Sequence, residues 1–199
     1  MITTFLFDVG NVVWFYQPYL NRLHQRWAEL SHLSYDDFSA QYLAFYKYFE
    51  INQKTLDDFV IFLHQPDPAP YWQTLTDIYN TSDFNNFLNQ PILNLISGLK
   101  SVFRVGYLSN AENFFYQHVH QKLESNFDFG YSSWQLGLEK PNPEIYQKVL
   151  NLQNLQPSEA VFIDDIPANV TSAKSVGINS ILFENNSQLL TELRKILFY

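Results

Sequence analysis

The chain has 199 residues, of which 46% are hydrophobic, so it is long enough to bury a full core, with or without a smaller inserted domain. Twenty acidic residues against 12 basic ones leave a formal net charge of -8, which offers no basic surface for nucleic acid. The absence of cysteine excludes disulfides, thiolate zinc sites and cysteine nucleophiles.

The first strand prediction covers residues 3–8, which form an apolar run that ends in Asp8. Residues 1–16 do not resemble a signal peptide, because they lack a basic start, Asp8 interrupts them and no small-residue cleavage site follows. No apolar run approaches the ~20 residues that a membrane-spanning helix needs. We therefore expect a cytoplasmic protein with no membrane segment and no nucleic-acid partner. Its oligomeric state is unknown from sequence.

A helical and strongly aromatic pattern follows, from about Pro18 to Phe87. Ser34 and Thr55 each precede acidic residues and then apolar residues at three- and four-residue spacing, which predicts two helix starts. A further helical stretch is predicted at about 71–79, after three closely spaced prolines. The block contains no strand candidate. Its aromatic residues are expected to pack in its own core rather than to stack on a ligand. They include Tyr42, Tyr46, Tyr48, Tyr71 and Trp72.

Strand and helix patterns alternate from Pro91 onward. The predicted elements are helix 91–100, strand 102–108, helix 111–123, strand 127–131, helix 143–151, strand 160–164, helix 168–176 and strand 179–183. Strands linked by helices indicate right-handed crossovers and a parallel sheet. The predicted fold is therefore α/β, with a Rossmann-like doubly wound parallel sheet as its core, in residues 1–14 and 90–199. An inserted helical cap is predicted in residues 15–89.

Carboxylates follow two of the predicted strands: Asp8 follows the first, and the pair Asp164-Asp165 follows another. Parallel sheets bind ligands beyond the carboxyl ends of their strands. A lone aspartate in such a place is more often a cap. However, Gly10 lets the backbone come close to a bound ion or phosphate. The adjacent carboxylates of Asp164 and Asp165 repel each other, and a hard cation such as Mg2+ would relieve that repulsion.

A hydroxyl follows the strand at 102–108. Ser109-Asn110-Ala111-Glu112 fits a capping box for the next helix. A helix N-terminus with free N–H groups is also a place where phosphate binds. The two interpretations of Ser109 are compatible.

Lys140 alone would be an ordinary surface charge. Gly137 before it, and Pro141 and Pro143 after it, indicate a fixed loop ahead of a helix, which favours a positioned ammonium group. A carboxylate, a hydroxyl, a lysine and a carboxylate pair, in that order, are consistent with phosphoryl transfer.

This ordered set resembles the haloacid dehalogenase-like (HAD) hydrolase superfamily over essentially the whole chain. That superfamily has a nucleophilic aspartate after its first strand, then a Ser or Thr, a lysine and an acidic pair, with a helical cap inserted after the first motif. Phe7-Asp8-Val9-Gly10-Asn11 and Lys140-Pro141-Asn142-Pro143 are similar to the branch that contains alpha-D-glucose-1-phosphatase and the N-terminal phosphatase domain of soluble epoxide hydrolase.

The resemblance implies that Asp8 attacks phosphorus and forms an aspartyl phosphate, with Mg2+ as cofactor. It also implies that the metal ligands are Asp8, the carbonyl of Gly10 and Asp165, with Asp164 assisting.

For the phosphoryl group, the resemblance implies that Ser109 and Asn110 hold its oxygens and that Lys140 neutralises its charge. The implied function is a Mg2+-dependent phosphatase that acts on a small phosphorylated metabolite, with sugar phosphates as one candidate class.

The chain departs from the wider superfamily at Gly10, where most of its phosphatases carry a second aspartate as general acid and base. Such help is worth roughly 100- to 10,000-fold in rate. The chain therefore recruits another acid, such as His24, His32 or Glu50, or uses substrates with good leaving groups, or is slow. The same glycine occurs in the branch that it resembles.

Two other functions stay open. Gly10 is the one sequence argument for a catalytically impaired binding or regulatory protein. A haloacid dehalogenase would use the same aspartate nucleophile without a metal, which would leave the pair Asp164-Asp165 without a purpose.

Overall fold

The computed structural model describes residues 1–81, 84–116 and 123–198. Its centre is a sheet of five parallel strands in the order β3-β2-β1-β4-β5. The strands are β1 (Thr4–Phe7), β2 (Arg104–Ser109), β3 (Phe129–Ser132), β4 (Ala160–Asp164) and β5 (Asn179–Leu182). The predicted α/β fold with a parallel sheet is confirmed, and each strand lies within two residues of its predicted bounds.

Strand β1 lies at the middle of the sheet and all four of its residues are buried. Phe5 and Phe7 contribute to one hydrophobic core, whereas Leu6 contributes to a second core on the opposite face. A strand that is covered on both faces forms a continuous apolar run, which is why its sequence showed no polar alternation. Asp8 is the first residue beyond this strand, so it lies at the centre of the carboxyl edge.

Helices cover both faces of the sheet. They are α1 (Gln17–Leu30), α2 (Tyr35–Glu50), α3 (Leu56–Phe62), α4 (Ala69–Thr81), α5 (Gln90–Leu99), α6 (Asn113–Phe115), α7 (Ser133–Leu136), α8 (Pro143–Gln153), α9 (Pro167–Ser175) and α10 (Asn186–Phe198). Helix α5 contributes to the core that contains Phe5 and Phe7, and helices α8 and α9 contribute to the core that contains Leu6. This two-sided cover is the doubly wound arrangement that the alternating pattern predicted.

Helices α1–α4, which we call the helical block, lie between β1 and β2 in the chain. Both predicted helix starts are confirmed. The Ser34 hydroxyl accepts a hydrogen bond from the Asp37 N–H at 3.1 Å, and Thr55 forms a capping box with Asp58. These bonds satisfy N–H groups that a helix leaves unpaired in its first turn. The division of the chain into a core and a cap at residues 15–89 stays a prediction.

Aromatic packing holds the helical block together, as expected for most of its rings. Trp27 is fully buried, and its indole N–H donates to the carbonyl of Tyr71 at 3.1 Å. Trp72 is different, because 37% of its surface is exposed and its N–H donates to Asp57 at 2.6 Å.

None of the helices in the described ranges combines the length and the apolarity that crossing a membrane requires.

The capping-box prediction at Ser109 is wrong. Ser109 is the last residue of β2, and the next helix is capped by Glu112, without a side-chain capping bond. The Ala111 N–H donates instead to the Ser133 hydroxyl at 3.0 Å, so the loop is tied to α7 before a helix begins. The predicted helix 111–123 starts as α6, and residues 117–122 of that prediction lie outside the described residues.

Candidate active site

Asp8, Lys140 and Asp164 form a buried ion-pair cluster at the carboxyl edge of the sheet. The Lys140 Nζ donates to Asp8 Oδ1 at 2.8 Å and to Asp164 Oδ2 at 2.7 Å. The two aspartates meet because β1 and β4 are neighbours in the sheet. Two carboxylates therefore share one ammonium group, which leaves excess negative charge where water has little access.

This imbalance is reflected in the protonation of the cluster. Burial raises the pKa of Asp8 to about 7, although the ammonium of Lys140 acts in the opposite direction. Burial alone would lower the pKa of Lys140, but Asp8 and Asp164 together raise it above its ordinary value. Lys140 is therefore a permanent cation in this site.

Asp164 is held in place by further donors. The Asn169 side-chain amide donates to both of its carboxylate oxygens at 3.0 Å, and the backbone N–H of Ile166 donates to Oδ1 at 2.8 Å. With Lys140 also bound, Asp164 is surrounded by donors and is completely buried. Asn169 is a site residue that the sequence reasoning missed, although it lies only four residues after the pair Asp164-Asp165.

Asp165 completes an acidic group with Asp8 and Asp164. One carboxylate oxygen from each residue lies within 4.8 Å of the other two. The side-chain amide of Asn11 donates to Asp165 Oδ2 at 3.2 Å, and burial raises the pKa of Asp165. Three oxygen donors with surplus negative charge suit a hard divalent cation. The donor atoms of these residues therefore fit a hard cation such as Mg2+.

Ser109 and Asn110 come from the end of β2, which pairs with β1 on the side opposite β4. Ser109 is buried. The Asn110 side chain bonds to the backbone of Lys140 in both directions: its amide donates to the Lys140 carbonyl, and its oxygen accepts from the Lys140 N–H, both at 2.9 Å. The structure thus brings every predicted site residue to one edge of the sheet.

A cavity of about 230 Å³ opens above this edge, between the strand ends and the helical block. It is smaller than the roughly 300–1,000 Å³ of pockets that hold drug-sized ligands. Its lining includes six of the predicted site residues: Asp8, Gly10, Ser109, Asn110, Lys140 and Asp165.

The space beside Gly10 is occupied by Tyr16. A Cβ atom at position 10 would lie 2.9 Å from Tyr16 Cε1, which is closer than a real contact allows, and 3.9 Å from Asp8 Oδ2. Burial, with Asp8 and Asp165 nearby, raises the pKa of Tyr16, so its hydroxyl stays protonated. Tyr16 also lines the cavity, and no motif in the sequence indicated it.

Glu112 is a second residue that the sequence reasoning misplaced, because it was interpreted as part of a capping box. It is buried and lines the cavity. Its carboxylate accepts a hydrogen bond from the Tyr46 hydroxyl at 3.1 Å and a long one from the Tyr42 hydroxyl at 3.5 Å. Burial raises the pKa of Glu112 to about 7. Tyr42 and Tyr46 thus line the cavity as well as packing in the helical block.

Of the three acids considered as replacements for the missing aspartate, Glu50 is the one that lines the cavity. Burial, with Glu139 and Glu112 nearby, raises its pKa to about 9. His24 is buried between aromatic rings, 4.2 Å from that of Tyr42, and burial lowers its pKa to about 4. Neither His24 nor His32 is among the residues that line the cavity.

Comparison with known proteins identifies the family of this chain. The family model for haloacid dehalogenase-like hydrolases matches residues 2–177. Bifunctional epoxide hydrolase 2 of Mus musculus is 39% identical over 75 residues, which are 38% of this chain and 14% of the mouse protein. The chain therefore spans only a small part of that relative. D-ribitol-5-phosphate phosphatase of Bacteroides thetaiotaomicron is 31% identical over 122 residues, which cover 57% of this chain and 59% of that enzyme.

Solved structures show the same fold. A HAD family enzyme from Bacteroides thetaiotaomicron, in complex with magnesium and inorganic phosphate, superimposes with a TM-score of 0.73. The alignment covers 95% of this chain and 99% of the other, at 20% sequence identity.

Proposed function

Because the chain belongs to the haloacid dehalogenase-like hydrolase family, we propose that it is a Mg2+-dependent phosphatase that acts on a small phosphorylated metabolite. The observation that carries this proposal is the buried cluster of Asp8, Lys140 and Asp164 at the floor of a small cavity. The similarity to D-ribitol-5-phosphate phosphatase supports a sugar or sugar-alcohol phosphate as the substrate. The proposal includes a cytoplasmic location and no nucleic-acid partner.

In this proposal Asp8 is the nucleophile. Its carboxylate attacks phosphorus, the bond to the leaving oxygen breaks, and an aspartyl phosphate forms that water then hydrolyses. Lys140 holds Asp8 at 2.8 Å and provides positive charge for the phosphoryl oxygens. Ser109 and Asn110 bind those oxygens from the neighbouring strand end.

Asp8, Asp165 and the carbonyl of Gly10 would hold Mg2+, with Asp164 in an assisting position. Asp164 already accepts bonds from Lys140, Asn169 and the Ile166 N–H, which suits it to positioning its neighbours. Bound there, Mg2+ would offset the negative charge of the carboxylates and of the transferring phosphoryl group.

The same acidic group weighs against a haloacid dehalogenase. That reaction needs the aspartate nucleophile but no metal, whereas here three carboxylates lie within 4.8 Å of one another with one ammonium between two of them. The alternative of a binding or regulatory protein without activity is supported by Gly10 alone. The phosphatase proposal uses the whole cluster.

The test is turnover of p-nitrophenyl phosphate by the purified protein with Mg2+ and with EDTA. We expect activity that EDTA abolishes and Mg2+ restores. Mg2+ should also raise the melting temperature, because a ligand of the native state stabilises it by mass action. Asp165→Asn should weaken that thermal shift. Full activity in EDTA would contradict the metal and favour the dehalogenase, and no turnover under either condition would favour a binding protein.

A further inference from the structure

The cavity has a second polar end, opposite in character to the phosphate site. It consists of Glu112, Tyr42, Tyr46 and Glu50, all of which line the cavity. We call this group the acidic end. Glu112 comes from the loop after β2, while the other three come from α2.

Glu112 has hydrogen-bond donors but no cationic partner within the described part of the chain. Its carboxylate accepts bonds from the Tyr46 and Tyr42 hydroxyls and from a backbone N–H. The groups that interact with it electrostatically from the packed elements are acidic or phenolic: Glu50 from α2, Tyr16 and Tyr19 from the segment after β1, and Tyr79 from α4. Lys140, the cation that lines the cavity, is engaged with Asp8 and Asp164.

A buried carboxylate without a cation repels any second anion placed beside it, since the low local dielectric strengthens like-charge repulsion. The same carboxylate and the phenol hydroxyls accept and donate hydrogen bonds. A hydroxyl-bearing group can satisfy them, whereas a carboxylate or a second phosphate cannot satisfy Glu112.

From this arrangement we propose that the acidic end selects substrates whose organic part is uncharged and hydroxylated, and excludes those with a second anionic group. Glu112 is the residue that sets this selectivity. The inference rests on the proposed function and deepens it by naming the substrate class of the same site.

The experiment compares glycerol 3-phosphate with 3-phosphoglycerate, which share a three-carbon skeleton and differ by a hydroxymethyl group against a carboxylate. The measured quantity is the ratio of their kcat/KM values at pH 8. We expect a preference for glycerol 3-phosphate of roughly 10- to 100-fold, which corresponds to about 1.4–2.7 kcal/mol of like-charge repulsion. Glu112→Gln keeps the shape and removes the charge, so it should bring the ratio close to one.

The matched control is Glu29→Gln, which removes the same charge from an exposed side chain on α1. It should leave the ratio unchanged. The ratio should also fall in the native protein from pH 8 to pH 6, as Glu112 gains its proton, and stay constant in Glu112→Gln. The phosphate groups and Asp8 titrate alike for both substrates, so they cancel in the ratio.

Tyr46→Phe supplies an independent variant if Glu112→Gln fails to fold. The Tyr46 hydroxyl lowers the pKa of Glu112. Its removal should move the midpoint of the pH-dependent selectivity upward. An unmoved midpoint would overturn the role of Glu112.

Binding is measured in parallel, by the dissociation constants of the two compounds. This separates the inference from the proposed function. Selective binding that Glu112→Gln abolishes, without any turnover, would leave the inference standing and the phosphatase proposal rejected. Equal kcat/KM values and equal affinities in the native protein, or a preference that survives in Glu112→Gln, would overturn the inference.

Discussion

The two ends of the cavity hold buried carboxylates in opposite ways. At the strand ends, Asp8 and Asp164 lie within 2.8 Å of a lysine ammonium, whereas in the described part of the chain Glu112 at the acidic end is bonded by neutral groups, namely the Tyr42 and Tyr46 hydroxyls and a backbone N–H. Burial raises the pKa of both Asp8 and Glu112 to about 7, but at the strand ends the ammonium of Lys140 opposes this shift and stays positively charged. The first end is therefore suited to binding and transferring an anion. The second holds no cation among the described residues and is suited to accepting a neutral group.

The largest effect that this comparison predicts is at Asp8. Asp8→Asn keeps the shape of the side chain but removes the attacking charge, so turnover of p-nitrophenyl phosphate should fall by roughly 10,000-fold or more. Circular dichroism should show an intact fold. Asp36→Asn, a change at an exposed residue of α2, serves as the control and should leave the rate unchanged. A rate in the Asp8 variant comparable to that of the native protein would show that the ion-pair cluster is not the reaction site.

The second prediction concerns the ammonium group between the two aspartates. Lys140→Met should destabilise the protein at pH 8 by about 3–5 kcal/mol, because it leaves buried carboxylates without a counter-charge. Lys100→Met removes a partly exposed ion pair with Asp128 and should cost no more than about 1 kcal/mol. Urea unfolding measures both. Equal losses in the two variants would mean that the cluster is not held by Lys140.

The third prediction concerns Glu112 at the acidic end. Glu112 keeps its proton in the native state up to about pH 7, but in the unfolded state only up to its ordinary pKa of 4.5. Its contribution to stability is therefore fully present below pH 4.5 and is lost as pH rises through 7. Between pH 4.5 and pH 8, the free energy of unfolding of the native protein should fall by about 3 kcal/mol more than that of Glu112→Gln. The measurement is the free energy of unfolding of both proteins at each pH. A difference between them that stays constant across this range would contradict the raised pKa of Glu112.

The smallest expected effect tests the boundary between the two ends. Gly10→Asp alone should restore little rate on alkyl phosphates, because its Cβ atom meets the Tyr16 ring at 2.9 Å. The double variant Gly10→Asp, Tyr16→Ala removes that obstacle and should exceed the single one by about tenfold, a modest part of what general acid catalysis supplies. Tyr16→Ala alone is the control. A single variant as active as the double one would show that the ring moves aside without cost.

The two aspartates of the ion-pair cluster could be predicted from sequence because each lies at the end of a strand. Asp8 and Asp164 follow short apolar runs, and a parallel sheet places such ends side by side whatever the loops do. The acidic end could not be predicted in the same way. Tyr46 and Glu112 are 66 residues apart, and their contact depends on how the helical block sits over β2. Glu112 was misinterpreted because its spacing from Ser109 matches a common local motif, while the Ser133 hydroxyl takes the Ala111 N–H instead.

Two hydrogen bonds join the Asn110 side chain to the Lys140 backbone and hold the two loops together. An amide side chain that both donates and accepts at 2.9 Å imitates the pairing of two neighbouring strands, here between loops 30 residues apart. A carboxylate at position 110 could accept but not donate, so even this near-isosteric change would break half of the link. The lysine therefore reaches its working position when the chain folds, before any ligand arrives, and the site needs little rearrangement at the moment of reaction.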